Sequence, residues 1–414
     1  MNSLPLSATR SQQNKALWTS TFAFTVCFAV WTIFSIIGIQ IKKELGLSDT
    51  QFGLLAATPI LTGSIIRLFL GVWTEQYGGR IVFSLVMLAA AVATWMLTYA
   101  TTYPQFLMAA LAVGIAGGSF AVGIAYVSKW FPAGKQGTAL GIFGAGNVGA
   151  AVTKLLAPMV MVAYGWHGVA RFWSIGLAVT AIIFFLFTKD DPGLAKRRAE
   201  GVKPVPFVEQ MKPLRNLQVW RFSLYYFFVF GAFVALALWL PRYLTGAYGL
   251  DVKTAGLIAA CYSIPASLFR VVGGWISDKV GGSIVTQVIS AVMVAASVAV
   301  GYVMMQAYQS ATPEQYFPAF LGLFVVLFAA SGIGNGSTFR TIGVIFDRAQ
   351  AGPVLGWTSA IAAYGAFIAP IVIGDQIKAG TPQFAMYGFA AFYAVCLVLN
   401  WWFYLRPNAY VKNP

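Results

Sequence analysis

Two stretches of the sequence share one pattern, and that pattern decides the fold. The first is Arg67-Leu-Phe-Leu-Gly71-Val-Trp-Thr-Glu75-Gln-Tyr-Gly78-Gly79, and the second is Arg270-Val-Val-Gly-Gly274-Trp-Ile-Ser-Asp278-Lys-Val-Gly281-Gly282. Each stretch has a glycine four residues after its arginine, a carboxylate four residues after that glycine, and Gly-Gly at its end. The copies begin at residues 67 and 270, which are 203 residues apart in a chain of 414. This spacing predicts a duplicated structural unit.

In both copies the arginine stands inside an apolar run, and the carboxylate stands at the polar end of that run. A charged side chain within a membrane helix is costly and commonly marks an ion or substrate path. The composition favours a membrane protein, because 59% of residues are hydrophobic and 9% are charged, whereas roughly a quarter are charged in soluble domains. The net charge of +15 is therefore attributed to the basic residues that orient a membrane protein, and no nucleic-acid partner is expected.

Apolar stretches of roughly 20 residues, long enough to cross a bilayer as a helix, recur along the whole chain. They predict an all-α integral membrane protein with twelve transmembrane helices in two pseudo-symmetric six-helix bundles. The predicted spans, numbered one to twelve, are 17–40, 51–73, 81–101, 104–130, 137–163, 169–188, 218–242, 254–277, 283–307, 316–346, 353–377 and 382–405. The predicted domains are a tail (1–16), a first bundle (17–188), a basic linker (189–217), a second bundle (218–405) and a tail (406–414).

The distribution of Lys and Arg predicts the orientation of these spans. Most of the 27 basic residues fall in the tails, the linker and the loops on one side of the membrane if the N-terminus is inside. Both termini are therefore predicted to be cytoplasmic, with residues 1–15 forming a tail and not a cleaved signal peptide. In this orientation both Gly-Gly turns are also cytoplasmic, as a repeat about the membrane normal requires.

A second pair of stretches repeats in the same order. Gly114-Ile-Ala-Gly-Gly-Ser119 in span four corresponds to Gly332-Ile-Gly-Asn-Gly-Ser337 in span ten. The glycine-rich start of span five has a small-residue counterpart in span eleven, at 356–365. Small residues at helical spacing let membrane helices approach closely. Three of those in span five are predicted to act in helix packing: Gly144, Gly146 and Gly149.

Two six-helix repeats with Gly-x-x-x-(Asp/Glu)-x-x-Gly-Gly after spans two and eight resemble the major facilitator superfamily. The resemblance covers essentially the whole chain. It implies a substrate site between the two halves, reached alternately from each side, and signature turns whose carboxylates help to lock one conformation. The gating residues it implies are Glu75, Gly78, Gly79, Asp278, Gly281 and Gly282. Glu75 stands where the superfamily usually has Asp, and its longer side chain is expected to loosen the lock.

The two arginines predict an anion site. All twelve acidic residues lie in loops or at span ends, so none is placed to neutralise Arg67 or Arg270 near the middle of the membrane. Two unpaired guanidinium groups repel each other and are poorly solvated, and an anion between them removes both penalties. The alternative, pairing with backbone carbonyls or extension to the inner surface, explains their symmetric duplication less well. Guanidinium forks match a small planar oxyanion.

Within the superfamily, the sequence resembles the nitrate/nitrite porters of the NarK type. The resemblance is carried by the two arginines, Gly117-Gly-Ser-Phe120, Gly144-Ala-Gly-Asn147-Val-Gly149 and Tyr226-x-x-x-Phe230-Gly231. It implies that Arg67 and Arg270 clamp the anion, that Asn147 offers its amide and that Tyr226 offers its hydroxyl. Three rings are implied to pack on the anion: Phe28, Phe120 and Phe230.

Lys154 departs from the exchanging members of that group. It follows Asn147 by seven residues in span five, which places it on nearly the same face and about 10 Å further outward. A desolvated lysine titrates readily, so Lys154 is the leading candidate for coupling anion uptake to a proton. The alternative is extension of its side chain to the outer interface.

These patterns predict a secondary transporter of nitrate, with nitrite as a further substrate, in the bacterial inner membrane, working by nitrate/proton symport. Nitrate/nitrite exchange and transport of another small monovalent anion remain the alternatives. No catalytic set, metal constellation or phosphate loop is present, so neither an enzyme nor a cofactor is expected. The expected partners are the anion, protons and the lipid bilayer, and the protein is expected to be a monomer. The duplicated turn argues against a channel.

Overall fold

The computed structural model describes residues 9–201, 206–346, 348–409 and 411–414, and the regular structure in these segments is helical. The α-helices are Arg10–Trp31, Phe34–Leu45, Asp49–Tyr77, Gly79–Met96, Tyr103–Val113, Ser119–Ser128, Ala133–Gly144, Gly149–Phe187, Pro192–Ala199, Phe207–Gln210, Leu217–Ala247, Val252–Val280, Gly282–Gln309, Phe317–Ile345, Arg348–Lys378 and Gln383–Asn400. Short 3-10 helices occupy Leu97–Tyr99, Gly114–Gly118, Ala145–Val148, Lys212–Arg215 and Pro313–Tyr316, and a π-helical turn occupies Trp401–Leu405.

Eleven helical segments of the described chain are long and apolar enough to cross a membrane. One of them, Gly137–Phe187, has 51 residues, more than twice the roughly 20 that cross a bilayer core as a helix. It bends at Gly165, whose φ of 67° departs from helical geometry. Division at this bend gives the twelve predicted spans. The chain reverses direction there, because Trp173 of the second segment donates a hydrogen bond of 2.9 Å to Thr153 of the first. The break predicted between spans five and six is therefore confirmed, and the positive φ of Gly165 forms its turn.

The first span is longer than the predicted 17–40. Its helical segment is Arg10–Leu45, with a short break at Thr32 and Ile33. The helix begins early because Thr9 and Gln12 form a capping box, in which each side chain accepts a hydrogen bond from the backbone of the other. A polar helical turn thus extends the span into the predicted tail, of which residues 1–8 lie outside the described chain.

Spans two (Asp49–Tyr77) and eight (Val252–Val280) carry the repeated pattern and have matching ends. Span two is capped by Ser48 and span eight by Asp251, and these positions are also 203 residues apart. At the other end Gly78 and Gly281 adopt nearly the same conformation, with φ of 95° and 94° and ψ of 141° in both. A positive φ favours glycine, so the repeated Gly-Gly ends the helix in the same way twice.

The two halves touch at both ends of the bundle. On the side that carries the linker and the C-terminal residues, called here the linker side, Thr138 donates a hydrogen bond to Asp278 across 3.3 Å. On the opposite side, Arg242 forms an ion pair of 3.0 Å with Asp49. Contacts at both ends enclose the space between the halves, which is where the two repeated arginines lie.

Candidate functional site

Arg67 and Arg270 are both buried inside this enclosure, with exposed fractions of 1% and 0%. Each side chain reaches from its own half to the other. Arg67, in span two, contacts Ser359 of span eleven, and Arg270, in span eight, lies against Gly144 of span five. No ion pair joins either arginine to a carboxylate within the described residues. The absence of a carboxylate in these contacts leaves both charges available to an anion.

The two guanidinium groups differ in their hydrogen bonds. Arg67 Nε donates to the Gly117 carbonyl at 2.9 Å, and Arg67 Nη1 donates to the Ser359 carbonyl at 3.0 Å. Its Nη2 has no hydrogen-bond partner in the described chain. All three nitrogens of Arg270 lack one there as well. Four buried N–H-bearing atoms therefore remain for a ligand, three of them on Arg270.

Three aromatic rings stack between the arginines. Tyr226 and Phe230, one helical turn apart in span seven (Leu217–Ala247), stack with centres 5.1 Å apart and planes at 9°. Phe120 from span four (Tyr103–Ser128) lies parallel to them, 6.0 Å from Phe230. The guanidinium carbons of Arg67 and Arg270 are each 5.5 Å from the centre of Phe230. Phe230 thus makes a cation–π contact with both charges and marks the middle of the site.

Asn147 and Tyr226 add uncharged polar groups. Both side chains are fully buried, and both atoms of the Asn147 amide lack a hydrogen-bond partner in the described chain. The Tyr226 hydroxyl lies near both guanidinium groups, without a well-formed hydrogen bond to either. A buried polar group that makes no hydrogen bond carries a desolvation cost. These groups therefore favour a ligand that accepts hydrogen bonds.

The structure places Phe28 further from the charges than the other predicted rings. Phe28 packs edge to face on Trp31, with centres 5.3 Å apart, and Trp31 in turn lies 5.2 Å from the guanidinium carbon of Arg67. Sequence reasoning did not select Trp31, although it follows Phe28 by three residues on one helix face. It also missed Phe339 of span ten (Pro313–Ile345), whose ring contacts Phe120 and Tyr226.

The comparisons with known proteins identify the family. A family model described as Major Facilitator Superfamily matches residues 19–306 and 243–414. The chain belongs to the major facilitator superfamily. A probable nitrate/nitrite antiporter NarK1 of Thermus thermophilus is 37% identical over 400 residues, covering 91% of this chain and 88% of that protein. A nitrite extrusion protein of Bacillus subtilis (strain 168) is 32% identical over 402 residues, covering 96% of each. The resemblance to NarK-type porters is confirmed.

Solved structures of other superfamily members share the fold. The proton:xylose symporter XylE aligns over 98% of both chains with a TM-score of 0.73 at 13% identity. A bacterial homologue of the human lysosomal transporter Spinster, in an inward-facing conformation, aligns over 95% of this chain and 97% of that one, with a TM-score of 0.69 at 15% identity. The major facilitator fold predicted from the sequence is confirmed, and the protein is a multi-pass membrane transporter and not an enzyme.

The first superfamily signature turn makes its contacts within the first half and with the linker. Glu75 forms an ion pair of 2.9 Å with Lys129, and its backbone carbonyl accepts a hydrogen bond from Arg197 of the linker helix. A Cβ at Gly78 would collide with a linker side chain, and one at Gly79 would collide with Tyr126. Space therefore excludes a side chain at Gly79, and the φ of 95° favours glycine at Gly78.

The second signature turn joins the two halves. Asp278 accepts hydrogen bonds from Thr138 of the first half and from Arg340 of the second, each at 3.3 Å. A Cβ at Gly281 or at Gly282 would collide with neighbours, Asn413 and Thr341 among them. The second carboxylate thus joins the two halves on the linker side.

Lys154 lies at the same interface, further toward the side opposite the linker. Its side chain is 1% exposed, and its Nζ is 3.0 Å from Ser263 Oγ in span eight. Ser263 precedes Arg270 by seven residues, just as Asn147 precedes Lys154 by seven. The Lys154 side chain therefore bridges the halves two helical turns from the arginine layer. It does not extend to the surface, which was the alternative considered from the sequence.

The three glycines of span five contact different elements. A Cβ at Gly149 would collide with the backbone of span one at Thr25, and one at Gly146 would collide with Phe24. These two positions allow spans one and five to approach closely. At Gly144 a Cβ would instead lie 3.4 Å from Arg270 Nη1, so this glycine borders the site itself.

Proposed function

We propose that this protein transports nitrate or nitrite across the bacterial cytoplasmic membrane by alternating access. The observation that carries the proposal is the set of buried, unpartnered donors on Arg270, Arg67, Asn147 and Tyr226, gathered around stacked rings between the two halves. A small planar anion accepts hydrogen bonds in its plane and offers its faces to rings. The printed names of the relatives, which include nitrate/nitrite antiporter and nitrite extrusion protein, favour nitrate and nitrite among such anions.

The proposed cycle uses the contacts that now close both ends. Entry of the anion requires the halves to separate on one side, and its charge then draws Arg67 and Arg270 together across the interface. Release on the other side requires the Asp278–Thr138 contact to open. We assign the linker side to the cytoplasm, because the tails, the linker and most basic loops lie there. A monomer is sufficient for this cycle.

Lys154 supports coupling to protons. Two guanidinium groups and one bound monoanion leave the site with a net positive charge. An inside-negative membrane potential favours the inward-facing state of such a site and opposes its return. Loss of a proton from a nearby lysine relieves that charge. The described contacts give the Lys154 ammonium one neutral partner, the Ser263 hydroxyl, and a buried ammonium without a carboxylate is destabilised. Proton symport is therefore the proposed mode.

Nitrate/nitrite exchange is the second candidate, favoured by the word antiporter in the names of relatives from Thermus thermophilus. Uptake of labelled nitrate into proteoliposomes distinguishes the two modes. Symport predicts uptake driven by an imposed inward proton gradient into vesicles without internal anion. Exchange predicts uptake only into vesicles loaded with nitrite. Wild-type protein that takes up neither anion in either arrangement would refute the proposed function.

The role of Lys154 is tested in the same vesicles with Lys154→Gln. We expect the variant to lose gradient-driven net uptake while it retains exchange of external nitrate for internal nitrite. A matched control is Ser263→Ala, which removes the hydroxyl that Lys154 contacts and leaves the amine in place. Gradient-driven uptake that is unchanged in Lys154→Gln would show that another group carries the proton.

A further inference from the structure

The segment that follows span twelve folds back onto the second signature turn. Asn413 lies in this segment, and its backbone N–H donates a hydrogen bond of 2.9 Å to the carbonyl of Tyr404 at the end of the span. With a φ of 46°, Asn413 is the one residue other than glycine in the described chain that has a positive φ. Asparagine tolerates this conformation better than most residues. Together these features fix the point from which the Asn413 side chain reaches the turn.

The Asn413 amide joins the ends of two helices across the Gly-Gly of the turn. Its Nδ2 donates a hydrogen bond of 2.8 Å to the Val280 carbonyl, where span eight ends. Its Oδ1 accepts a hydrogen bond of 3.2 Å from the N–H of Ile284 in the first turn of span nine. The Gly282 N–H also donates to the backbone oxygen of Pro414 at 2.7 Å. Helix ends leave backbone groups without partners inside the helix, so this segment supplies the partners that the two helices lack.

The first signature turn has a matching contact with the segment that follows span six. Arg198 of the linker helix donates a hydrogen bond of 3.0 Å to the Tyr77 carbonyl. Tyr77 and Val280 each precede the Gly-Gly of their turn, and they are 203 residues apart, which is the spacing of the repeat. In each half, therefore, the chain beyond the sixth span returns to the equivalent carbonyl. Two different side chains make this contact, which indicates a requirement of the turn itself.

Of the two turns, the second carries the contact between the halves in the described chain. Asp278, two residues before Val280, accepts a hydrogen bond of 3.3 Å from Thr138 of the first half, whereas the carboxylate of the first turn pairs within its own half. A helix end whose carbonyls lack partners frays readily, and fraying at Val280 would displace Asp278 from Thr138. The Asn413 amide thus holds the carboxylate where the first half can donate to it.

We propose that Asn413 is a positioning residue for the contact that closes the linker side. By clamping the second signature turn it favours the state in which Asp278 meets Thr138, and it biases the conformational equilibrium against opening on that side. The inference goes beyond the proposed function, since it holds for any anion that the protein carries. It rests on that function only where transport is the readout.

The test is hydrogen exchange measured by mass spectrometry on the purified protein without substrate. Asn413→Gly keeps the positive φ and removes the amide, so a change reports the clamp and not backbone strain. We expect exchange that is about twofold to tenfold faster at the linker-side ends of spans five, eight and ten, and slower exchange around the Asp49–Arg242 pair on the opposite side. Faster exchange confined to residues 278–284, with the opposite side unchanged, overturns the inference.

Two control variants separate this clamp from other contacts. Arg198→Ala removes the equivalent hydrogen bond to the first turn, which does not join the halves in the described chain, so exchange should rise near that turn alone. Asn408→Gly changes an exposed asparagine of the same segment as Asn413 and should exchange as wild type does. A response on the opposite side in Arg198→Ala or Asn408→Gly that equals the response in Asn413→Gly contradicts the proposal.

Coupling to Asp278 gives a second readout, which a merely structural role would not produce. In proteoliposomes, Asn413→Gly should change the maximal uptake rate by about twofold to tenfold with the KM nearly constant. In an Asp278→Asn background the same substitution should add little, because both changes act on one contact. Fully additive effects contradict the assignment. Absence of anion uptake by wild type would refute the proposed function instead, because the exchange measurements need no substrate.

Discussion

Arg67 and Arg270 occupy equivalent positions in two repeated helices, yet their surroundings differ. Arg67 donates hydrogen bonds to carbonyls from both halves, at Gly117 and Ser359. Arg270 has no hydrogen-bond partner within the described chain. The duplication preserved the positions of the two charges, but only one of them became part of the protein's own hydrogen-bond network.

The helices around the two arginines differ in a corresponding way. Spans four and five of the first half are interrupted by 3-10 stretches, Gly114–Gly118 and Ala145–Val148. Their counterparts in the second half lie within the continuous α-helices Phe317–Ile345 and Arg348–Lys378. A 3-10 stretch inside a helix often marks a functional hinge. Here one stretch contains the Gly117 carbonyl that binds Arg67, and the other contains Asn147.

This asymmetry assigns different tasks to the two charges. We infer that Arg67 is held in place by the protein's own hydrogen bonds, whereas the hydrogen bonds of Arg270 would come from the anion. Binding of the anion then stabilises the enclosed arrangement chiefly through Arg270. Substitutions that change stability and anion affinity separately test this difference between the two arginines.

The largest difference is expected in stability without substrate. Arg67→Lys removes the guanidinium group that donates two buried hydrogen bonds to backbone carbonyls, and a hydrogen bond to a charged group contributes about 1.5–3 kcal/mol. Arg270→Lys leaves no protein acceptor unsatisfied and relieves a crowded guanidinium group. The thermal midpoint of purified protein in nitrate-free buffer should therefore fall in Arg67→Lys and stay close to wild type in Arg270→Lys. Equal losses in both variants would show that the observed asymmetry has no energetic consequence.

The uncharged donors should affect affinity more than stability. Tyr226→Phe and Asn147→Ala each remove one hydrogen bond to a charged ligand, which contributes about 1.5–3 kcal/mol. We expect the KM for nitrate to rise by about tenfold or more in either variant. Tyr262→Phe is the control, because Tyr262 is also fully buried with an unpartnered hydroxyl but contacts Phe324 and Phe328. A comparable rise in KM in Tyr262→Phe would remove the site-specific interpretation.

The contacts that the arginines make with the opposite half can be compared directly. Gly144→Ala places a methyl group 3.3 Å from Arg270 Cδ and 3.4 Å from its Nη1, which is close enough to displace the guanidinium group by a few tenths of an ångström. We expect a KM for nitrate that is raised a few-fold, by about 1 kcal/mol. Ser359→Ala, at the contact of Arg67, retains the carbonyl that accepts the hydrogen bond and should leave the KM unchanged. The opposite ranking would argue against close approach of Arg270 to span five.

The smallest expected effects concern the two signature turns. Asp278→Asn weakens the contact with Thr138 across the halves, whereas Glu75→Gln affects the ion pair with Lys129 within one half. Partly exposed ion pairs contribute about 0–1 kcal/mol, so each change in rate should be less than about tenfold. Maximal uptake rate should change in Asp278→Asn, with KM nearly constant, and should change less in Glu75→Gln. An equal effect of both would indicate that Glu75 also controls the separation of the halves.

The sequence sufficed for the parts of this account that rest on charge and periodicity. Charged residues are rare in membrane spans, so Arg67, Arg270 and Lys154 were conspicuous. The repeat of 203 residues predicted the symmetric placement of the two arginines. The break between spans five and six was also predictable, because Gly165-Trp-His-Gly168 has the composition of a turn, and Gly165 leaves helical geometry there.

The asymmetry between the arginines was not predictable from the sequence. The acceptors for Arg67 are backbone carbonyls, and a carbonyl has no residue type that a sequence pattern can reveal. Phe339 is one of 33 phenylalanines, and only packing distinguishes it from those that serve as ordinary core. Phe28 was selected with the site rings, but its own ring contacts are with Phe24 and Trp31, and it is Trp31 that lies against Arg67.

The central claim, that the anion is held between the halves chiefly by Arg270, is tested most directly by equilibrium titration of purified protein with nitrate. Wild-type protein should bind one nitrate per chain, and Arg270→Lys should weaken binding by about tenfold to a hundredfold, because a single ammonium replaces a charge-assisted fork. Binding of nitrate to Arg270→Lys with wild-type affinity would contradict the account.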